Sequence, residues 1–238
     1  APGAIEIVTI RTTGDVIQDR PLSEAGGKGL FVKEIEEALL RGRIDAAVHS
    51  MKDMPTAQPP GLAISAFLPR EDARDVLIAG DLARIDDLPQ GAIVGTSALR
   101  RKALLLHRRP DLRIVTLRGN VDTRLARRAD GTVQATILAL AGLKRLGKTG
   151  VGTAIPEAEM LPAVGQGAVC IEARADDART RGGLAAIDHE ATGVCVRAEH
   201  AMLVVLDGSC RTPIAGHAIL TGGELHLRGL IARPDGSE

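Results

Sequence analysis

Aromatic side chains are nearly missing from this chain of 238 residues, which has two Phe, no Tyr and no Trp. The core therefore has to be assembled from Ala, Val, Ile and Leu. Stacking platforms for single-stranded nucleic acid are disfavoured, because they need aromatic rings. Cysteine is sparse, with three residues, no CxxC pair and no metal-ligand spacing with the six His. That usage excludes a disulfide framework and fits a reducing cytosol. Net charge is also absent, 30 Lys and Arg against 30 Asp and Glu. No apolar run approaches the about 20 residues of a membrane span. The first residues, Ala1 to Ala4, lack a Met and any basic-then-apolar pattern, so no secretory signal is expected there.

The charge balance is global and not local. From Ser97 to Arg128, ten Lys or Arg stand against only Asp111 and Asp122. A solvated basic face is the ordinary explanation of such a run. The order of elements bears on the choice. Ile5, Ile7 and Ile10 suggest a strand over 4–11, followed by a polar, Gly-rich loop over 12–29. Apolar residues at 31, 32, 35, 38 and 39 predict a helix that ends at Gly42. Strands are expected at 44–48, 62–67, 76–79, 92–95, 112–117 and 134–138. Helices are expected at 98–109, 120–128 and 139–146, then a strand over 168–173, a helix over 183–206 and a hairpin at 213–231. Strands alternating with helices argue for a parallel sheet with right-handed crossovers.

The expected fold is α/β: two lobes like those of periplasmic binding proteins, with a third small α+β domain. The boundaries are 1–70 plus 165–185 for the first lobe, 71–164 for the second and 186–238 for the third.

Ligands of open α/β sheets bind beyond the carboxyl ends of the strands. At those ends the sequence places His49, Ser50, Lys52 and Asp53, then Thr96, Ser97, Arg100 and Arg101, then Arg118 and Arg124, and then Arg145. A solvated face would not select one end of every strand, so the pattern points to a site for a small polyanion. Thr96 or Ser97 can cap one helix and Asn120 another, and helix N-termini add donors suited to anions. Guanidinium groups grip carboxylate or phosphate at two points. No Walker loop and no GxGxxG follows a strand. Asp53 beside Lys52 either shapes a turn or stabilises a cation, and among so many cations it should stay ionised. His49 suits a satisfied strand-end histidine better than a base. Cys170 and Cys195 lie in apolar runs and belong to the core. Cys210 lies in a polar loop beside Arg211, which favours a thiolate.

Eight segments in order resemble the porphobilinogen deaminase family: GGKGLFVKEIE (26–36), AAVHSMKDMPT (46–56), REDARDVL (70–77), VGTSALRR (94–101), LRGNVDTRL (117–125), ILALAGLKRLG (137–147), LPAVGQGAV (161–169) and GSCRTPIAGHA (208–218). The resemblance implies a transferase of heme and tetrapyrrole biosynthesis, cytoplasmic and monomeric. It joins four porphobilinogen units head to tail with loss of ammonia and releases hydroxymethylbilane. It implies a dipyrromethane cofactor held by a thioether to Cys210, and Asp53 as the catalytic aspartate. It implies carboxylate binding by Lys52, Ser50, Thr96, Ser97, Arg100, Arg101, Arg118, Arg124 and Arg145. Lys28 would lie in a loop over the cleft, and Gln166 at a hinge between lobes. Partners would be small molecules, without nucleic acid, membrane or metal. Two departures stand out. The family's opening strand, with an Arg and a Ser facing the site, and the end of its last domain have no counterpart here, so missing termini are expected. Position 98 is Ala where many relatives carry Ser. The residues alone leave open a non-catalytic anion-binding protein of two lobes and, more weakly, a nucleic-acid binder through 97–128.

Overall fold

A computed structural model describes residues 5–12, 32–208 and 212–237. Helix α1 (Lys33–Leu40) forms where the apolar stripe predicts it, and buries Ala38 and Leu39. Gly42 ends it with a positive φ of 66°, which glycine adopts without steric cost. Strands β1 (Ala46–Ser50) and β2 (Leu62–Phe67) follow. They flank β8 (Val169–Arg174) in an antiparallel sheet of order β1-β8-β2. Its core includes Val32, Met51, Met54, Phe67, Cys170 and Val196.

The second sheet is built from β3 (Asp75–Ile78), β4 (Ile93–Gly95), β5 (Arg113–Val115), β6 (Ala135–Ala139) and β7 (Thr153–Ala154) in the order β5-β4-β6-β3-β7. Between its strands run α2 (Leu99–Arg108), α3 (Val121–Ala129) and α4 (Leu140–Arg145). Leu77, Val94, Leu105, Ile137 and Met160 are buried together beneath them. Each fully buried aliphatic side chain contributes about 1.5–3 kcal/mol, so Ile and Leu replace the missing aromatics by number.

Two chain segments join the sheets. Leu68 N donates to Val169 O at 3.0 Å and Glu71 N to Gly167 O at 3.1 Å, so the outgoing and returning strands lie side by side. Past β8 come α5 (Ala178–Ala185), α6 (Glu190–Val205) and the hairpin β9 (Ile214–Thr221) and β10 (Glu224–Ile231). Among the described residues no helix is long and apolar enough to cross a membrane.

Three expectations are corrected. The second sheet is mixed: β4 runs parallel to β5 and β6, but β3 is antiparallel to both β6 and β7. Alternation along the sequence reports crossovers, whereas the direction of β3 is set by how the chain enters from the first sheet. Residues 5–12 form no strand, and Ile5 and Ile7 are 85% and 89% exposed. Alternating Ile residues can line a strand only where a sheet edge pairs with them. The single helix expected over 183–206 is two helices, separated where Asp188 Oδ1 accepts from Phe67 N at 2.7 Å and the His189 side chain caps α6.

Candidate active site

The turn after β1 is one short 3-10 segment, Met51–Asp53. Met51 N donates to Ala168 O at 3.0 Å, and the buried Met51 side chain pins the turn to the core. Gly165 of the returning segment packs against it so closely that a Cβ there would stand 2.9 Å from Met51 Cγ. Lys52 and Asp53 are thereby fixed relative to both crossing segments.

Asp53 retains solvent exposure, yet its carboxyl is closely surrounded by protein. Desolvation raises its pKa, and Lys52, then His49, then Arg124 oppose that rise. The expectation of a carboxylate held ionised by its neighbouring cations is thus opposed by desolvation. Burial lowers the pKa of Lys52, Asp53 opposes, and Arg101, Asp75 and Arg100 also act on it. Arg124 is lowered by burial and by the charges of Arg101 and Arg118, with Asp53 acting against them. These mutual interactions bring Lys52, Asp53, Arg100, Arg101, Arg118 and Arg124 to one locality.

The two consecutive arginines of α2 are not free surface groups. Each is 5% exposed, and they share a residue that the sequence reading passed over. Asp75, wholly buried at the start of β3, pairs with Arg100 through Oδ2 at 2.7 Å and with Arg101 through Oδ1 at 2.7 Å. Burial alone would raise the Asp75 pKa, but the two guanidinium charges outweigh it and hold the carboxyl well below the usual range. Arg100 also donates to Leu161 O at 2.6 Å and Arg101 to Ile137 O at 2.9 Å. The Nε of Arg101 is buried and has no partner. A charged residue opening the otherwise apolar DVLI was the available signal for Asp75.

Gln166 ties the crossing segments to this cluster, since its Nε2 donates to Ala73 O at 2.6 Å and to Asp75 Oδ1 at 2.8 Å. Arg145 donates to Gly167 O at 2.8 Å, and Arg124 Nε to Gly119 O at 2.8 Å. Thr96 is buried and accepts from Ala98 N at 3.2 Å. Neither it nor the exposed Ser97 caps α2, whose N-cap position is Ala98. Asn120 does cap α3, accepting from Thr123 N at 2.9 Å. Ser50 closes β1 on its exposed side. Lys28 and Cys210 lie outside the described residues.

Three or more carboxylates could be gripped by such a wall of cations. The partnerless Nε of Arg101 and the Lys52 ammonium are donors fitted to acidic side chains of a pyrrole chain, so the residues present fit a dipyrromethane group. Among the described residues no cluster of His, Cys, Asp and Glu is arranged to hold a metal ion.

Comparison with known proteins agrees. The family model described as "Porphobilinogen deaminase, dipyromethane cofactor binding domain" matches residues 2–182. "Porphobilinogen deaminase, C-terminal domain" matches residues 194–238. The porphobilinogen deaminase of Paracoccus denitrificans is 59% identical over all of this chain and 76% of its own length. That of Nitrobacter hamburgensis is 56% identical with the same coverage. Among solved structures, the periplasmic aliphatic sulphonate binding protein of Escherichia coli aligns with 73% of this chain and 57% of its own. That alignment has 18% identity and a TM-score of 0.42, too slight to argue from.

Proposed function

The chain belongs to the porphobilinogen deaminase family, and from that premise we propose how its cleft residues divide the work. The enzyme is a transferase that polymerises porphobilinogen into hydroxymethylbilane in tetrapyrrole biosynthesis. Its larger matched region is a dipyrromethane-binding domain. The observation that carries the proposal is the clustering of Asp53 with Lys52 and Arg124, and of these two cations with the buried Arg100–Arg101 pair on Asp75.

Each porphobilinogen carries two carboxylates and an aminomethyl group. Lys52, Arg118, Arg124 and Arg145 bind the carboxylates, aided by the Arg100 and Arg101 groups that Asp75 holds in place and by Ser50, Thr96 and Ser97. Charge-assisted hydrogen bonds contribute about 1.5–3 kcal/mol each, and they orient the substrate over Asp53. When bound, the dipyrromethane supplies the free pyrrole carbon that acts as nucleophile. Asp53 sits where positive charge develops as ammonia departs. Its carboxylate steadies the electron-poor ring and the pyrrole N–H, then accepts the proton lost from the new carbon–carbon linkage. Positioning and fixed charge supply most of the acceleration. Gln166, bound to Asp75 and Ala73, is the hinge that lets 71–164 shift against 1–70 and 165–185 between additions. Cys210 holds the cofactor by a thioether.

The reading takes the protein as a cytoplasmic monomer without nucleic acid or membrane partners, and the even balance of 30 basic and 30 acidic residues supports the lack of a nucleic-acid partner. The test is consumption of porphobilinogen by the full chain, with product converted to uroporphyrin. Asp53→Ala should stop turnover, and near-normal turnover would remove it from the mechanism. Intact mass should carry a dipyrromethane that Cys210→Ser eliminates, and an unchanged adduct would place the thioether elsewhere.

A further inference from the structure

The second sheet has two ends, and the residues assigned to porphobilinogen use one of them. Arg100 and Arg101 follow the carboxyl end of β4, and Arg145 follows that of β6. At the other end β6 begins and the antiparallel β3 finishes, since Ile78 pairs with Thr136. A pocket of about 290 Å³ opens there, lined by Ala79, Leu82, Leu88, Val133, Arg128 and Gln134 among others. Ala79, Leu88 and Val133 are buried, and the first two belong to the core of the sheet. These walls are therefore formed before any ligand arrives.

Arg128 is the unusual member of the lining. Its neighbours on α3 have partners: Arg124 Nε donates to Gly119 O at 2.8 Å, and Arg127 faces Asp130 at 3.8 Å. Asp130 Oδ1 in turn accepts from Thr132 N at 2.9 Å and from Thr132 Oγ1 at 2.6 Å. Among the described residues no carboxylate pairs with Arg128, and its Nε is buried without a hydrogen-bond partner. Native proteins seldom leave a buried donor so, because it gives up water and gains nothing. The guanidinium keeps its charge at any working pH. It lies against the turn after β3, where a Cβ on Gly80 would stand 2.4 Å from Arg128 Nη2. Gln134 supplies a second donor. Its Oε1 accepts from Ile93 N at 2.5 Å, which leaves Nε2 free to donate.

These features have one complement. A single guanidinium without an anion fits one carboxylate, held at two points. Buried aliphatic walls fit an apolar body. The volume of about 290 Å³ is nearly twice the roughly 150 Å³ that takes one benzene ring. It falls just under the about 300 Å³ at which small-molecule sites begin, so the body is one ring or a short branched chain. We propose that this pocket is a second ligand site, separate from the porphobilinogen cleft, for a small monocarboxylate with a compact apolar body. Arg128 and Gln134 hold the carboxylate, and Leu82, Leu88 and Val133 enclose the rest. Arg128, the last cation of the basic run over 97–128, thus serves this site and not the cleft.

The experiment titrates cyclohexanecarboxylate and its neutral isostere cyclohexanecarboxamide into the full chain, with Leu and Val methyl groups labelled for NMR, in wild type and in Arg128→Met. The methyl signals of Leu82, Leu88 and Val133 should shift, and those of Leu161, whose carbonyl binds Arg100, should not. The acid should bind about tenfold to a hundredfold tighter than the amide, as a charge-assisted hydrogen bond implies. Arg128→Met should erase that preference while porphobilinogen turnover stays at the wild-type rate. No shift with either probe, equal binding of acid and amide, shifts confined to Leu161, or a preference that survives Arg128→Met would each overturn the proposal. Lost turnover in the variant would place Arg128 in the cleft and overturn the separation of the two sites. If the variant does not fold, the comparison of acid with amide in wild type, located by the methyl shifts, decides the matter.

Discussion

Asp75→Asn removes the one negative charge that two buried guanidinium groups share. In the native protein, Arg100 and Arg101 each lie 2.7 Å from a different oxygen of Asp75, and Gln166 Nε2 adds a third donor at 2.8 Å. Asparagine offers one acceptor in place of two and turns a donor toward a donor. Removing one partner of a buried ion pair costs about 3–5 kcal/mol. The second arginine raises that cost, while the surviving bonds to Leu161 O and Ile137 O lower it, so about 3–5 kcal/mol is the expected loss. Folded domains hold only about 5–15 kcal/mol in total. At about 2–4 °C per kcal/mol for a chain of this size, the thermal midpoint should fall by roughly 6–20 °C.

The pH dependence adds a second check. A carboxyl whose folded pKa is depressed contributes stability above its unfolded pKa and loses it as pH falls through the folded one. The gap between wild type and variant in urea unfolding should therefore be constant at neutral pH and shrink below about pH 4. A gap under about 1 kcal/mol at neutral pH, or one undiminished in acid, would refute the argument. Combining Asp75→Leu with Arg100→Met and Arg101→Met should recover most of the stability while leaving turnover lost, because the fold tolerates apolar packing there and the substrate does not.

Asp53→Asn should have the opposite effect on stability. The Asp53 pKa is raised by desolvation, so its ionised form burdens the fold at neutral pH. The variant should melt higher than wild type there while turning over no substrate, and the gain should disappear below about pH 4. Equal melting at neutral pH would mean that Asp53 is not desolvated. Glu199, wholly buried, accepts from Gly165 N and Ala218 N at 2.7 Å each and from both terminal nitrogens of Arg70. Glu199→Ala should cost about 3–5 kcal/mol and expose amides of β9 and β10 to hydrogen exchange before those of β6. Unchanged protection of the hairpin would show that it is held by other contacts.

What the sequence disclosed was local. Lys52, Asp53, Arg100, Arg101 and Arg124 could be read as one site because each lies in the turn or helix that follows a strand. Asn120 was legible as a cap because a cap acts within three residues. Asp75 was hidden because its partners come from another element: Arg100 and Arg101 lie 25 and 26 positions after it. A single acid in an apolar run does not reveal which cation it meets. The direction of β3 was hidden for a related reason, since residues 68–74 decide it by where they cross. Even the ionisation of Asp53 depended on something outside the motif, its desolvation by the surrounding protein.

The ratio of charges in the buried cluster explains why one set of residues can serve both the fold and the reaction. One carboxylate per guanidinium would leave the wall neutral, with nothing to offer an acidic pyrrole. Guanidinium groups with no carboxylate could not be held at 5% exposure, because burying an unpaired charge is too costly. Two arginines on Asp75 satisfy burial and still leave a surplus of one positive charge, with Arg101 Nε unpartnered beside Lys52. Gln166 binds the same Asp75 oxygen as Arg101, so movement of the returning segment changes the competition for that oxygen. Opening the hinge should therefore alter the grip of the wall on its ligand, which couples elongation to lobe movement without a separate device.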